Sequence, residues 1–415
     1  MQKIEIMAPV GSFEALSAAI NAGCDSIYFG VEQLNMRARA AHNFTLEELK
    51  EVVKLCEESG VRSYLTMNTL LYQHDLVLMR KILDAAKAAG ISAVIVQDIA
   101  AIQYARSIGL SLHASTQLSI SNYEAVKFYA QFADTLVLAR EVDMEMMREI
   151  CKKIEEEWLK GPGGALVRIE VFVHGALCIA QSGRCQMSLI TNNTSAQRGA
   201  CLQECRKKYR VTDEETGTEM VIEDGFVLSP TDLCCLPFLD KLAETGVSVF
   251  KIEGRGKSAD YVSKVVQVYR EARDAILEGT FTKERIEAWM TELKSVYNRG
   301  FSEGYYLGRK LPEWSGSSGS KATDEKIYAG EVSHYFAKAK IAELNLLAHE
   351  LKKGDEFVVI GKTTGAVFGR VESMMKDGAE VEECGRQGLA TIPLVETVRK
   401  NDKIYLLKKR ALNAL

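Results

Sequence analysis

An alternation constrains this chain more than any other feature. Apolar runs recur every 25 to 35 residues or so through the first half and beyond, with amphipathic segments between them. Candidate strands are "IEIMAP", "DSIYFG", "VRSYLTM", "AVIVQD", "LSLHAST", "DTLVLAR" and "RIEVFVHG". Helical segments such as "TLEELKEVVKLCEESG" and "LVLMRKILDAAKAAG" lie between them, each ending on a glycine, the residue that best accepts the left-handed turn closing a helix. An eighth strand, "VSVFKIEG", precedes the long helical run "SADYVSKVVQVYREARDAILEG". Eight βα units in about 280 residues predict an α/β fold of the (β/α)8, TIM-barrel-like kind. A doubly wound open sheet is the competitor, because strand order is not written in the pattern.

The character changes after residue 312. "PEWSGSSGSKATDEK" is small and polar and reads as a flexible linker over 313–325. Short β-type runs separated by turns then fill 326–415, predicting a small all-β barrel accessory domain that carries little visible chemistry; its Cys384 stands alone. Residues 1–312 form the barrel-like domain, with a cysteine-bearing insertion at about 175–235.

In a barrel of this kind the polar residues at strand C-terminal ends converge on one mouth. Here they are Asn68, Asp98, Ser115 with Gln117, Arg140 with Glu141, His174, and Glu253 with Arg255. Any one of them could merely cap a helix. Their recurrence from strand to strand favours a site, with His174, Glu170, Arg140, Glu253 and Arg255 as catalytic candidates.

Cysteine usage sharpens this. Of ten cysteines, six crowd into "HGALCIAQSGRC", "GACLQECRKKY" and "TDLCC". The opening "MQKIEIMAPV" lacks a basic region followed by an apolar core, and no apolar run approaches the roughly 18 residues of a membrane helix, so a cytoplasmic protein with no membrane partner is expected. In that compartment clustered thiols more often bind metal than pair as disulfides. Cys178 and Cys185 are seven apart, Cys201 and Cys205 four apart, and Cys234 lies 29 beyond Cys205, unlike the tight pairs of a zinc ribbon. Spacing alone leaves an iron–sulfur cluster and zinc both open. Cys24, Cys56 and Cys151 read as small core residues. A Cys–His nucleophile using His174 or His113 is a second reading, though it leaves the other cysteines unexplained. No HExxH is present to suggest a metallopeptidase. Net charge is −4, so a nucleic acid would need a local patch; Arg198, Arg206, Lys207, Lys208 and Arg210 supply one candidate.

"EVFVHGALCIAQSGRCQMS", with "MAPVGSFEALSAAINAGCDSIYFG", "RGACLQECRKKY", "LSPTDLC", "FKIEGRGKSADYVSKVVQVYR" and "YNRGFSEGYY", resembles the blocks of the peptidase U32 (collagenase-like protease) family. Despite the name, the resemblance implies oxygen-independent hydroxylation. Some members make 5-hydroxyuridine at the transfer-RNA wobble position with prephenate as hydroxyl source; others act on a ribosomal RNA cytidine or on ubiquinone precursors. It also implies a [4Fe–4S] cluster on Cys178, Cys185, Cys201 and Cys234, with Cys205 as the substitute ligand and Cys235 a bystander. Length and the β-domain make the chain most similar to the transfer-RNA members. On that reading Arg206, Lys207 and Lys208 would hold RNA, Arg37, Arg140 and Arg255 would grip a dianion such as prephenate, and a second family subunit is a possible partner.

Overall fold

A computed structural model describes residues 3–39, 43–220, 226–308, 313–317 and 319–410. Eight parallel strands form its centre: β1 (Glu5–Pro9), β2 (Ser26–Phe29), β3 (Arg62–Met67), β4 (Ala93–Val96), β5 (Leu112–Ala114), β6 (Thr135–Val137), β7 (Arg168–Ala176) and β8 (Val249–Ile252). Each pairs with the next in sequence, and β8 returns to β1 through Glu5–Val249, Ile6–Phe250 and Met7–Lys251. That last ladder decides between the two topologies: the sheet is a closed barrel.

Helices follow the strands and bury one face against them. Helix Phe13–Asn21 is capped by the Ser12 hydroxyl, which accepts from Ala15 N–H, and helix Ile99–Ser107 by the Asp98 carboxylate. Glycine at Gly90 and Gly279, both left-handed, ends the helices Leu76–Ala89 and Ala259–Glu278 as their sequences predict. Inside the ring, Met7, Tyr28, Tyr64, Ala93, Ile95 and Val249 pack together.

Two departures from simple alternation matter for the site. First, β7 is bulged against β8: Lys251 faces Phe172, but Ile252 faces His174. One extra residue inverts the phase of the strand, so Glu170 and Phe172 point into the barrel while His174 turns outward. Gly175 next to the bulge has φ +104°, and a Cβ there would lie 2.6 Å from the Glu253 carbonyl oxygen. Second, a short strand, Asp232–Cys234, pairs antiparallel with the end of β7, placing Cys234 beside His174 outside the ring.

The C-terminal residues form antiparallel strands around a separate core that includes Val332, Leu344, Phe357 and Leu406. The hairpin Glu356–Gly361/Gly365–Arg370 rests on helix Phe13–Asn21, where Ser17 donates to the Lys362 carbonyl at 2.7 Å and Asn21 to that of Thr364 at 3.1 Å. Gly365 permits this contact, since a Cβ there would stand 2.6 Å from the Ala18 nitrogen. The segment expected to be a flexible linker is tied down in its described part. Ser315 N–H donates to Ser229 O, Lys321 N–H to Asn298 O and Thr323 N–H to Lys294 O. Composition marked it as loop, but backbone hydrogen bonds, which composition does not reveal, hold it against the barrel.

Candidate functional site

At the C-terminal ends of the strands a cavity opens whose described wall is assembled from β2, β3, β5, β6, β7 and β8 and the loops that follow them. Tyr28, Thr66, Phe172 and Lys251 form its floor, Arg37, Arg140, Glu253 and Arg255 its sides, and the insertion after β7 its roof. Asn68, Ser115 and Gln117 line it as the strand-end pattern predicts; the Asn68 amide donates to Ser115 Oγ and Gln117 Oε1, both at 3.3 Å.

The roof carries the thiols. Cys178, Cys185, Cys201 and Cys205 all face the cavity. Cys178 is exposed and the other three are half-buried. Burial pushes the Cys205 thiol up to about 11; Arg206 opposes the rise, while Cys178, Cys201 and Cys185 add to it. The insertion can lie this low because Gly199, at φ +82°, passes the loop after β2: a Cβ there would sit 2.2 Å from the Asn35 carbonyl oxygen.

Cys234, expected to be the fourth ligand, does not join them. It is buried, with its sulfur 3.7 Å from the Tyr269 hydroxyl and 3.8 Å from Met290 Sδ, and desolvation raises its thiol to about 11. The antiparallel strand on β7 carries it out of the mouth, and the fourth thiol lining the cavity is Cys205. Cys235 is likewise core. Among the described residues no three His, Cys, Asp or Glu side chains converge tightly enough for a single metal ion. A zinc ion draws its thiolates into one small tetrahedron with Zn–S near ~2.3 Å. An iron–sulfur cluster spreads its thiolates around a larger body, and an all-cysteine donor set is the chemistry that suits it.

Beneath the thiols the cavity is cationic. Among the described residues Arg37, Arg140, Arg206, Lys251 and Arg255 line it against one carboxylate, Glu253. Arg37 meets Glu253 at 2.8 Å. Burial alone would raise the Glu253 carboxyl, but Arg37 and Arg140 outweigh it and hold it at about 2. The Arg140 guanidinium lies 3.9 Å from the Phe172 ring centroid and donates to Ala176 O at 2.6 Å, while its buried Nε has no partner. Arg255 donates to Thr66 Oγ1 at 2.9 Å; desolvation draws it down to about 10, with Tyr28 opposing and Arg37 adding to the fall. Lys251 is the functional side chain that pattern reading missed. Its ammonium stands 2.6 Å from Glu170 Oε1, and the other Glu170 oxygen is 3.3 Å from His113 Nδ1. Burial would raise Glu170, yet Lys251 and His113 hold it at about 2. The signal was present: a lysine inside the apolar run "VSVFKIEG" needs a buried partner.

Several expected site residues lie elsewhere. His174 is buried beside Tyr261, Tyr269 and Phe301, its Nδ1 3.3 Å from the Tyr269 hydroxyl, and desolvation pulls it down to about 3. The bulge in β7, invisible to strict alternation, removes it from the mouth. Asp98 caps its helix and Glu141 is exposed outside the cavity. Arg206 is no surface RNA contact: it is buried, donating to Leu177 O at 2.7 Å and Ser229 Oγ at 2.9 Å, and so braces the insertion. Lys207 and Lys208 are exposed, the former paired with Glu204 at 2.5 Å. Arg198 is committed to Asp75 at 2.6 Å.

The model of Peptidase family U32 matches residues 11–316. The chain belongs to this family. A U32 relative from Porphyromonas gingivalis (strain W83), named collagenase, is 49% identical over 406 residues, 98% of each chain. A transfer-RNA hydroxylation protein of Bacillus subtilis (strain 168) is 31% identical over 391 residues, 92% of this chain and 89% of its own. A 23S rRNA 5-hydroxycytidine synthase of Escherichia coli (strain K12) is 30% identical over 315 residues, 74% of this chain but 46% of its own. The U32 members similar to this chain thus carry both protease and RNA-hydroxylation names.

Proposed function

We propose that the protein hydroxylates RNA without dioxygen in the cytoplasm, converting the wobble uridine of transfer RNA to 5-hydroxyuridine with prephenate as hydroxyl donor. The observation that carries this reading is the cavity itself, four thiols above a cation-rich floor. Cys178, Cys185, Cys201 and Cys205 would hold a [4Fe–4S] cluster, which would supply electron transfer when bound. Arg140 and Arg255 are placed to pair with carboxylates, since guanidinium binds them in a fixed two-pronged geometry. Asn68 and Gln117 offer amides to the polar edge of an entering base, which must leave its stack to be reached. The rings of Tyr28 and Phe172 exclude water beneath it, and Lys251 with Glu170 offers a buried proton store at the floor.

Deleting the gene should abolish 5-hydroxyuridine derivatives in total transfer RNA, measured by nucleoside mass spectrometry. Complementation with Cys205→Ala should not restore them, and Cys384→Ala should. A change confined to ribosomal RNA or a quinone precursor would reassign the substrate and leave the cavity's chemistry in place.

The collagenase name of the Porphyromonas gingivalis relative favours a second reading, peptide hydrolysis. Against it, no histidine lines the cavity among the described residues, so the Cys–His pair of a thiol peptidase is not assembled there. Gelatin cleavage that survives stringent purification and vanishes in Cys178→Ala would reverse this ranking.

A further inference from the structure

A base held in the cavity leaves its neighbours in the strand unstacked, and the rim offers one of them a place. The loop after β3 leaves the cavity at Asn68 and reaches Tyr72 four residues later, hence within about 14 Å along the chain. Tyr72 is 49% exposed. An exposed tyrosine alone means nothing; the way this one is mounted does. Its N–H donates to Asp75 Oδ2 at 2.7 Å, and Asp75 is buried. Arg198, from the cysteine insertion, grips both Asp75 oxygens at 2.6 and 3.3 Å and donates to Leu70 O at 3.2 Å. The same guanidinium lies 4.0 Å from the Tyr72 ring centroid. Leu70 N–H, in turn, donates to Gln197 O at 3.0 Å. Two loops therefore fix the backbone that carries the ring, set a planar cation against it and the His74 ring edge-on to it at 5.8 Å between centroids, and leave about half of the residue in solvent.

We propose that Tyr72, backed by Arg198, is a stacking platform for the nucleobase next to the one that enters the cavity. The proposal rests on the RNA reading above and adds a subsite to it. Single-stranded bases stack on aromatic rings regardless of sequence. The Arg198 cation is attracted by the ring quadrupole and so holds the ring in place. Immobilising the ring beforehand removes the ordering cost that a mobile side chain would bring to binding.

The test uses the full chain, purified anaerobically, with total transfer RNA as probe. Ultraviolet cross-linking should place a nucleotide adduct on the peptide bearing Tyr72. Tyr72→Ala should lose the adduct and weaken binding by about 5- to 160-fold, the worth of one stacked base. The slope of log affinity against log salt should stay at the wild-type value, because no phosphate contact is lost. Tyr72→Trp should restore affinity. Iron content and melting temperature, unchanged in Tyr72→Ala, would show that the fold is intact. Wild-type affinity in Tyr72→Ala, a reduced salt slope, or full rescue by Tyr72→Leu would each overturn the platform while the RNA reading stands. If the wild-type protein itself binds no RNA at any salt, the RNA reading fails and takes the platform with it.

Discussion

The two ends of the barrel handle charge in opposite ways. At the end where the strands begin, Glu5 is buried and surrounded: Tyr64 donates to it at 2.9 Å, Arg62 meets it at 2.6 Å and Arg168 at 2.5 Å. Every one of these groups has its partner inside the fold. At the other end, Lys251 is paired with Glu170, but among the described lining residues four arginines face one carboxylate, Glu253, and a buried guanidinium nitrogen of Arg140 goes without a partner. Satisfied charges plug a barrel; unsatisfied ones wait for a ligand.

Breaking the open end should have the largest effect. Cys205→Ala should lose most of its iron after anaerobic reconstitution and at least about 100-fold in RNA hydroxylation. Its wall counterpart Cys234→Ala should keep the iron and lose about 1–2 kcal/mol of stability, the cost of a small apolar cavity. Iron loss in both, or in Cys234→Ala alone, would return Cys234 to the ligand set.

Breaking the closed end should act on stability instead. Glu5→Gln leaves two arginines facing a neutral amide, and should destabilise the protein by about 2–4 kcal/mol, less than for a fully desolvated pair because Arg62 and Arg168 are partly exposed. Arg140→Met should barely move the melting temperature but weaken retention of dicarboxylates, measured calorimetrically. An equal loss of stability in both variants would erase the contrast between the ends.

A smaller effect tests the bulge. His174 binds its proton at about 3 in the fold against 6.5 in model peptides. As pH falls below 6.5 the unfolded chain takes up a proton that the folded chain refuses, so stability drops by up to about 1.4 kcal/mol per pH unit. Glu170 and Glu253, both held at about 2, add losses of the same sign only below their model value of 4.5. Between pH 6.5 and 5, therefore, His174→Gln should flatten the stability profile by roughly 1–2 kcal/mol. An unchanged slope would mean that His174 is accessible to solvent after all.

What the sequence revealed, and what it hid, follows from the range of the interactions involved. Strand and helix periods are local, so the eight βα units were readable, as were Asn68, Gln117, Arg140 and the thiols of "CIAQSGRC" and "GACLQEC". Barrel closure was not local, since Glu5 pairs with Val249. His174 was misread because one bulge reverses a face, and Cys234 because an antiparallel strand within an insertion leaves no periodic trace. Arg206 looked like surface because its flanks are polar, yet its guanidinium satisfies carbonyls that the insertion would otherwise bury unpaired.

The position of the insertion also sets an order of assembly. All four thiols are encoded after β7 and before β8, and only β8 completes the ring. Contacts between distant parts of a chain form late, because the loop they close is long. On a ribosome, the cysteine segment emerges while the seven-stranded sheet is still an open wall. Its glycine hinge has a loop from β2 to rest on well before the last strand arrives. The roof is thus available to be laid before the walls are joined, and a cluster of the kind proposed above would enter a half-built house rather than a locked one.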